Sequence, residues 1–152
     1  MYANRKYTYI DLFAGTSALS EGFLRCGFEP VAHVEMNPDA CDTIKTRLAY
    51  HYLKANNSYY NYLKYLKREI TREELYELLP KDLISSVINQ EISDESIESI
   101  FNSIDSVLKR QRRKRVDFIV GGPPCQAFSM LNRHNTSIAD DKRCLLYLQY
   151  GK

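Results

Sequence analysis

Two short runs of β-forming residues, each followed by apolar residues at helical spacing, constrain this chain more than any other feature. Tyr7 to Phe13 (YTYIDLF) reads as a strand that ends at Ala14-Gly15. Small residues continue through Thr16, Ser17 and Ala18, and Leu19, Phe23 and Leu24 then recur at helical spacing up to Cys26-Gly27, a good stop. Glu29 to Glu35 (EPVAHVE) reads as a second strand with Pro30 near its start, where proline is tolerated. Asn37-Pro38 opens a second helix, because Asn caps and Pro suits the first helical position, and Ala40, Ile44 and Leu48 follow. Strand, helix, strand, helix is the order of a parallel α/β sheet.

The middle of the chain is helical by pattern. Tyr59, Leu63, Leu66 and Ile70 share one helix face, and Thr71 with Glu74 forms a capping-box pair that starts a helix ending near Pro80. Val87-Ile88 begins a short strand reaching Ile92. Ser93 or Asp94 then starts the most strongly patterned helix, with Ile97, Ile100, Phe101, Ile104, Val107 and Leu108 on one face. Its acidic start and Lys109-Arg110 end match the helix dipole. Val116 to Val120 (VDFIV) is nearly all apolar, as expected of a strand covered on both faces. It runs directly into Gly121-Gly122-Pro123-Pro124-Cys125-Gln126, and a polar loop and an apolar helix with Leu145, Leu146 and Leu148 follow.

Composition narrows the class. A chain of 152 residues with 44% hydrophobic and 26% charged residues is an ordinary globular domain, with twelve Tyr and six Phe to fill one core. The absence of a long apolar run excludes a membrane-spanning helix, and the polar start carries no secretory signal, so a cytoplasmic location is expected. The cysteines at 26, 41, 125 and 144 lack zinc-knuckle spacing and read as free thiols in a reducing compartment, with Cys26 and Cys41 packed in helices and Cys144 structural too. No metal site is expected, since His33, His51 and His134 show no paired spacing; His33 should be packed in its strand and the other two at the surface. A net charge of +2 hides six basic residues in seven from Lys109 to Arg115, which suit either a DNA backbone or a solvated helix end.

Three positions carry chemistry by their place in this order. The turn Phe13-Ala14-Gly15-Thr16-Ser17 lets a ligand approach backbone N–H groups, although alone it fits a turn with no ligand equally well. Glu35, at the end of the second strand and about 20 residues after Gly15, suits ribose hydroxyls, whether of a nicotinamide cofactor or of S-adenosylmethionine. In the third, glycines allow close approach and prolines fix the path that presents Cys125 at the carboxyl end of a buried strand, where a thiol can be a nucleophile.

Together these stretches resemble the cytosine-carbon-5 DNA methyltransferase family. Asp11-Leu12-Phe13-Ala14-Gly15 is similar to the family's cofactor loop, Val34-Glu35-Met36-Asn37 to its ribose-binding strand end, and Gly122-Pro123-Pro124-Cys125-Gln126-Ala127-Phe128-Ser129 to its catalytic loop nearly residue for residue. Asp141-Lys142-Arg143 with Leu145-Leu146 looks like the stretch that follows. Ser17 and Ala18 stand where the family usually has glycines. The resemblance implies a Rossmann-like three-layer α/β/α fold, incomplete here, with about 50–90 a family-variable helical insertion in the N-terminal part of a catalytic domain.

It implies S-adenosylmethionine as cofactor and S-adenosylhomocysteine as product. Phe13, Ala14, Gly15 and Thr16 would line the methionine and adenine side, Glu35 would hold the ribose and Met36 would pack on adenine. Glu91-Ile92 is the nearest match to the acidic pair at the adenine amine, and Gly122, Pro124 and Leu146 would close the pocket. Cys125 would add to a cytosine flipped out of double-stranded DNA, with Gln126, Ser129 and Arg143 at the DNA. The family's setting further implies a restriction–modification system with a cognate endonuclease.

The family's cytosine-holding Glu, its Arg-rich strand and its target-recognition region are not found before Lys152. The chain is therefore expected to be an N-terminal fragment with weak cofactor binding, little turnover and a sheet edge able to form homo-oligomers. A transfer-RNA cytosine methyltransferase and a catalytically dead nucleotide-binding remnant are the alternatives. An NAD-dependent oxidoreductase is disfavoured, because the turn lacks the glycine pattern and a proline–cysteine loop has no hydride role.

Overall fold

A computed structural model gives the structure, which is described here for residues 6–123. The β-forming runs become strands of one sheet. β1 (Thr8–Leu12) and β2 (Glu29–Glu35) pair in parallel, with Leu12 opposite Val34. β3 (Val87–Asn89) joins β2, and β4 (Phe118–Gly121) joins β1 on its other side, both in parallel. The order β3-β2-β1-β4 reverses direction at β1, so β1 and β4 flank the switch point at which ligands bind in such sheets.

Helices lie on both faces. α1 (Ala18–Arg25) sits against Tyr9, whose hydroxyl donates to the Ser20 carbonyl. α2 (Pro38–Ala55) buries Cys41, Ile44 and Leu48 with Val87 of β3. The next residue of that strand, Ile88, points the other way and packs with Ile10, Ala32 and Val34 against Ile100, Ile104 and Val107 of α6 (Ile97–Arg110). Strand alternation thus divides the apolar residues between two helical layers, giving the three-layer α/β arrangement. Each such fully buried aliphatic side chain contributes roughly 1.5–3 kcal/mol relative to exposure.

Asn37 caps α2 as its sequence suggests: its side-chain oxygen accepts from the N–H groups of Asp39 and Ala40, with Pro38 at the first helical position. Beyond it, α3 (Tyr59–Leu66), α4 (Arg72–Glu77) and α5 (Lys81–Ser85) form a helical segment around a third cluster of Ala49, Leu53, Leu75 and Leu79. The Thr71–Glu74 capping box is present.

Several expectations are corrected. The segment from Thr71 to Ser85 is two helices, because Pro80 takes an extended ψ of 133° and restarts the chain as the cap of α5. The short strand stops at Asn89, not Ile92. α6 begins at Ile97, since Ser93 and Ser96 bond each other's hydroxyls and backbone N–H groups in a turn before it. Phe101, placed on its apolar face, is 46% exposed. Val116 to Val120 was expected to be covered on both faces; β4 starts at Phe118, and Phe118 and Ile119 are 44% and 53% exposed, because β4 is the outer strand among the described residues. Cys26 lies exposed at the end of α1. His51 is half-buried, because its ring Nε2 lies 2.9 Å from the Glu21 carboxylate. Among the described residues no helix is long and apolar enough to cross a membrane.

Candidate cofactor site

Every strand of a parallel sheet points its carboxyl end the same way, so the exits of β1, β2, β3 and β4 share one rim. The β1 exit is conformationally demanding. Phe13, Gly15 and Ser17 all have positive φ, between 54° and 64°. Glycine adopts this freely, whereas Phe13 and Ser17 carry a steric cost of the kind that collects at functional turns. Ser17 therefore occupies, with a small buried side chain, a left-handed conformation that favours glycine. The turn is held by its neighbours: the Ala14 N–H donates to the Val34 carbonyl at 3.1 Å, and the Ser17 N–H to the Ala14 carbonyl at 2.8 Å.

Glu35 ends β2, as its sequence position requires, and its carboxylate ties two exits together. Oε2 accepts the Gly15 N–H at 2.7 Å, and Oε1 accepts the Asn37 N–H at 2.8 Å. Each oxygen retains a second lone pair, so the carboxylate can still accept from the two adjacent hydroxyls of a ribose. Met36 beside it is 62% exposed, an apolar side chain at the rim able to cover a flat ring. The donor set and the exposed apolar side chain fit an adenosyl group, and the Gly15 N–H fixes the direction of the carboxylate.

A second carboxylate lies beneath. Asp11 is buried in β1 and accepts from the Ser20 hydroxyl at 2.5 Å. Burial pushes its carboxyl above the usual range, the Ser20 hydroxyl pulls part of the way back and the nearby Glu35 carboxylate adds to the rise. In the sequence Asp11 stands out only as part of the Asp11–Gly15 stretch, and no local signal marks its burial near Glu35. Burial also raises the Cys41 thiol, with Glu35 adding to it.

The third exit, that of β4, ends beside the same turn. Gly121 pairs with Leu12, immediately before the Phe13 turn. A Cβ on Gly121 would stand 2.1 Å from the Leu12 carbonyl oxygen, so only glycine lets β4 run this close. The two glycines of the motif differ here, since a Cβ on Gly122 meets nothing within 4 Å. Pro124, Cys125, Gln126, Ser129, Arg143, Cys144, Leu146 and His134 lie outside the described residues.

The structure brings Phe13, Ala14, Gly15, Thr16, Glu35 and Met36 to one rim, with Gly122 just beyond β4. Glu91 and Ile92 follow β3 with different surroundings: Ile92 is buried in the α6 cluster, while Glu91 is exposed and its carbonyl accepts from the Ser96 hydroxyl. Asn89, which sequence reasoning did not single out, reaches the Glu35 turn from the end of β3. The open hollow of about 530 Å³ between α4 and α5, lined by Tyr76, Leu79 and Ile84, shares no residue with this rim. The basic run near β4 is partly neutralised, Arg110 by Asp82 at 3.1 Å and Arg113 by Glu29. No metal-binding group of His, Cys, Asp or Glu occurs among the described residues.

A sequence profile described as C-5 cytosine-specific DNA methylase matches residues 85–151. Type II methyltransferase M.Bpa9945I of Bacillus paralicheniformis is 38% identical over 162 residues, covering 94% of this chain and 36% of that protein. Type II methyltransferase M1.HphI of Haemophilus parahaemolyticus is 30% identical, covering 94% of this chain and 27% of that protein. A third relative, the putative type II methyltransferase M.MjaORF1200P of Methanocaldococcus jannaschii, is 32% identical over 82% of the chain and 37% of its own length. The chain thus spans about a third of the length of these relatives. No solved structure matches.

Proposed function

Because the chain belongs to the cytosine-C5 DNA methyltransferase family, we propose that it is the cofactor-binding and nucleophile-bearing part of an enzyme that methylates carbon 5 of cytosine in double-stranded DNA. The observation that carries this reading is the Glu35 carboxylate, fixed between the Gly15 and Asn37 N–H groups at the rim where β1 and β4 part. S-Adenosylmethionine, when bound, supplies an electrophilic methyl group on a sulfonium.

The chain's own residues do the rest. Glu35 holds the ribose hydroxyls, Met36 covers adenine, Phe13, Ala14, Gly15 and Thr16 line the methionine side, and Glu91 and Ile92 bound the adenine end. Gly122, Pro124 and Leu146 close the pocket. Cys125 acts as thiolate, since the thiol itself is a poor nucleophile. Its sulfur bonds to carbon 6 of the flipped cytosine, and the displaced electron pair makes carbon 5 the nucleophile for the methyl group. Loss of the carbon 5 proton then returns the pair, breaks the carbon–sulfur bond and frees Cys125. Gln126, Ser129 and Arg143 contact the DNA around the extruded base.

Two relatives are named type II methyltransferases; a restriction–modification setting with a cognate endonuclease is part of the proposal. The 152 residues alone are proposed to bind cofactor weakly and turn over little, since the relatives use about three times this length. The residues from about 50 to 90 are read as a family-variable insertion. A cytoplasmic location and assembly through the β4 edge belong to the same proposal.

Transfer of a tritiated methyl group to cytosine-containing DNA, with transfer RNA as the parallel substrate, tests the reading in the full-length protein. Labelled DNA with the wild type and none with Cys125→Ala is expected, together with covalent trapping by a 5-fluorocytosine duplex. Label in transfer RNA alone, or DNA labelling that survives Cys125→Ala, would overturn it. Glu35→Gln is expected to weaken cofactor binding about tenfold, as befits lost hydrogen bonds to a charged acceptor.

A further inference from the structure

We propose that Asn89 is a positioning residue that aims the Glu35 carboxylate at the cofactor ribose, an inference that rests on the reading of Glu35 given above. Asn89 is the last residue of β3, and its side-chain Nδ2 donates to two successive carbonyls, Glu35 at 3.0 Å and Met36 at 2.9 Å. Carbonyl oxygens only accept, so the amide nitrogen must be the end that faces them.

The consequence follows from peptide planarity. The Met36 carbonyl shares a rigid plane with the Asn37 N–H. That N–H is the donor to Glu35 Oε1. Holding the Met36 carbonyl therefore fixes the direction of the N–H that fixes the carboxylate. The plane before it is held as well, because the Glu35 carbonyl also accepts from the Gln90 N–H at 3.0 Å and from the Cys41 thiol at 3.3 Å. The Glu35 carbonyl has other donors to fall back on, whereas among the described residues Asn89 is the donor that holds the Met36 carbonyl. Asn89 is exposed at the rim, and truncating it opens no apolar core.

A double-mutant cycle on the Kd of S-adenosylhomocysteine, measured by calorimetry on the full chain, tests this. Asn89→Ala should weaken binding about tenfold and Asn89→Ser, which keeps one donor, about threefold, the scale of one or two lost hydrogen bonds. In a Glu35→Ala background both losses should shrink below about twofold, since no carboxylate is left to aim. Thermal unfolding of each variant is followed alongside; if Asn89→Ala does not fold, the Asn89→Ser comparison decides. Equal losses in both backgrounds, or no loss with Asn89→Ala while Glu35→Ala weakens binding, overturn the role of Asn89 and leave Glu35 as ribose acid. Unchanged affinity in Glu35→Ala instead removes the reading of Glu35 on which the inference stands.

Discussion

At the β1 exit, positive φ occurs at Phe13, Gly15 and Ser17, ahead of a helix whose cap residue makes no side-chain hydrogen bond. In the helical segment between α2 and β3, positive φ occurs at Asn57 and Arg68, just past the ends of α2 and α3. The second pattern is helix termination, a routine use of the left-handed region. The first serves no such end, and its Gly15 N–H donates to the Glu35 carboxylate. Residues 59–85 follow local rules of capping and amphipathicity, whereas the sheet and its rim follow what must fit between neighbouring strands and above them. Substitutions in the two regions should therefore differ in reach: the sheet's should disturb stability and cofactor binding together, the segment's only stability.

The largest expected effect concerns His33, fully buried in β2 with no hydrogen-bond partner on either ring nitrogen among the described residues. Tyr9 meets its ring edge-on, and Asp11 is its neighbour in register. Burial alone depresses its pKa from 6.5 to about 4. The folded state thus keeps His33 neutral while the unfolded chain takes up a proton. Its contribution is intact above pH 6.5 and disappears as pH falls towards 4, a total on the order of 3 kcal/mol. Asp11, whose pKa is raised, acts with the opposite sign, while Glu21, lowered first by its hydrogen bond with the His51 ring and then by Arg25, and Glu29, lowered by Lys6 and Arg113 against its own burial, lose their contributions at lower pH. Urea midpoints of His33→Leu should decline less steeply than those of the wild type between pH 6.5 and 4. Parallel declines would show that the buried imidazole is not what makes the sheet acid-sensitive.

Next in size is Gly121→Val. Its side chain would be driven into the Leu12 carbonyl, and parting β4 from β1 should cost about 2 kcal/mol, within the range for overpacked sites. Because Leu12 leads into the Phe13 turn, the affinity for S-adenosylhomocysteine should fall with the urea midpoint. A lower midpoint with unchanged affinity would detach the strand junction from the site.

How far the sequence disclosed these regions follows the same division. β2 was legible to its last residue because Pro30 marks its start, Glu35 and Asn37 bracket its end and apolar residues fill the middle. The capping box of α4 was legible because it is written in two residues three apart. α5 was not, since five residues after Pro80 carry too little periodicity to distinguish a helical turn from a loop. β4 looked doubly covered because an apolar run records composition and not which strand lies outermost. Glu35 was found by its spacing from Gly15, but Asn89 and Asp11 matter through contacts 53 and 9 residues away along the chain, which no local pattern encodes.

Thr71→Ala is the smallest expected effect and the sharpest control on the comparison. Thr71 Oγ1 accepts the Glu74 N–H at 3.2 Å, and the Glu74 carboxylate accepts the Thr71 N–H at 2.7 Å. Losing this cap should cost about 1 kcal/mol, the usual scale for such a residue. α4 is moored elsewhere, by buried Leu75, by the Tyr76 hydroxyl donating to the Asp42 carbonyl at 2.9 Å and by the Arg72–Asp42 ion pair at 2.8 Å, so the variant should remain folded. Its affinity for S-adenosylhomocysteine should stay within about twofold of the wild type, since none of these contacts touches a rim residue. If affinity instead falls as far as with Gly121→Val, the strain in α4 must travel through Asp42 and the first turns of α2 to the Asn37 cap, and the helical segment would then belong to the machinery that holds Glu35.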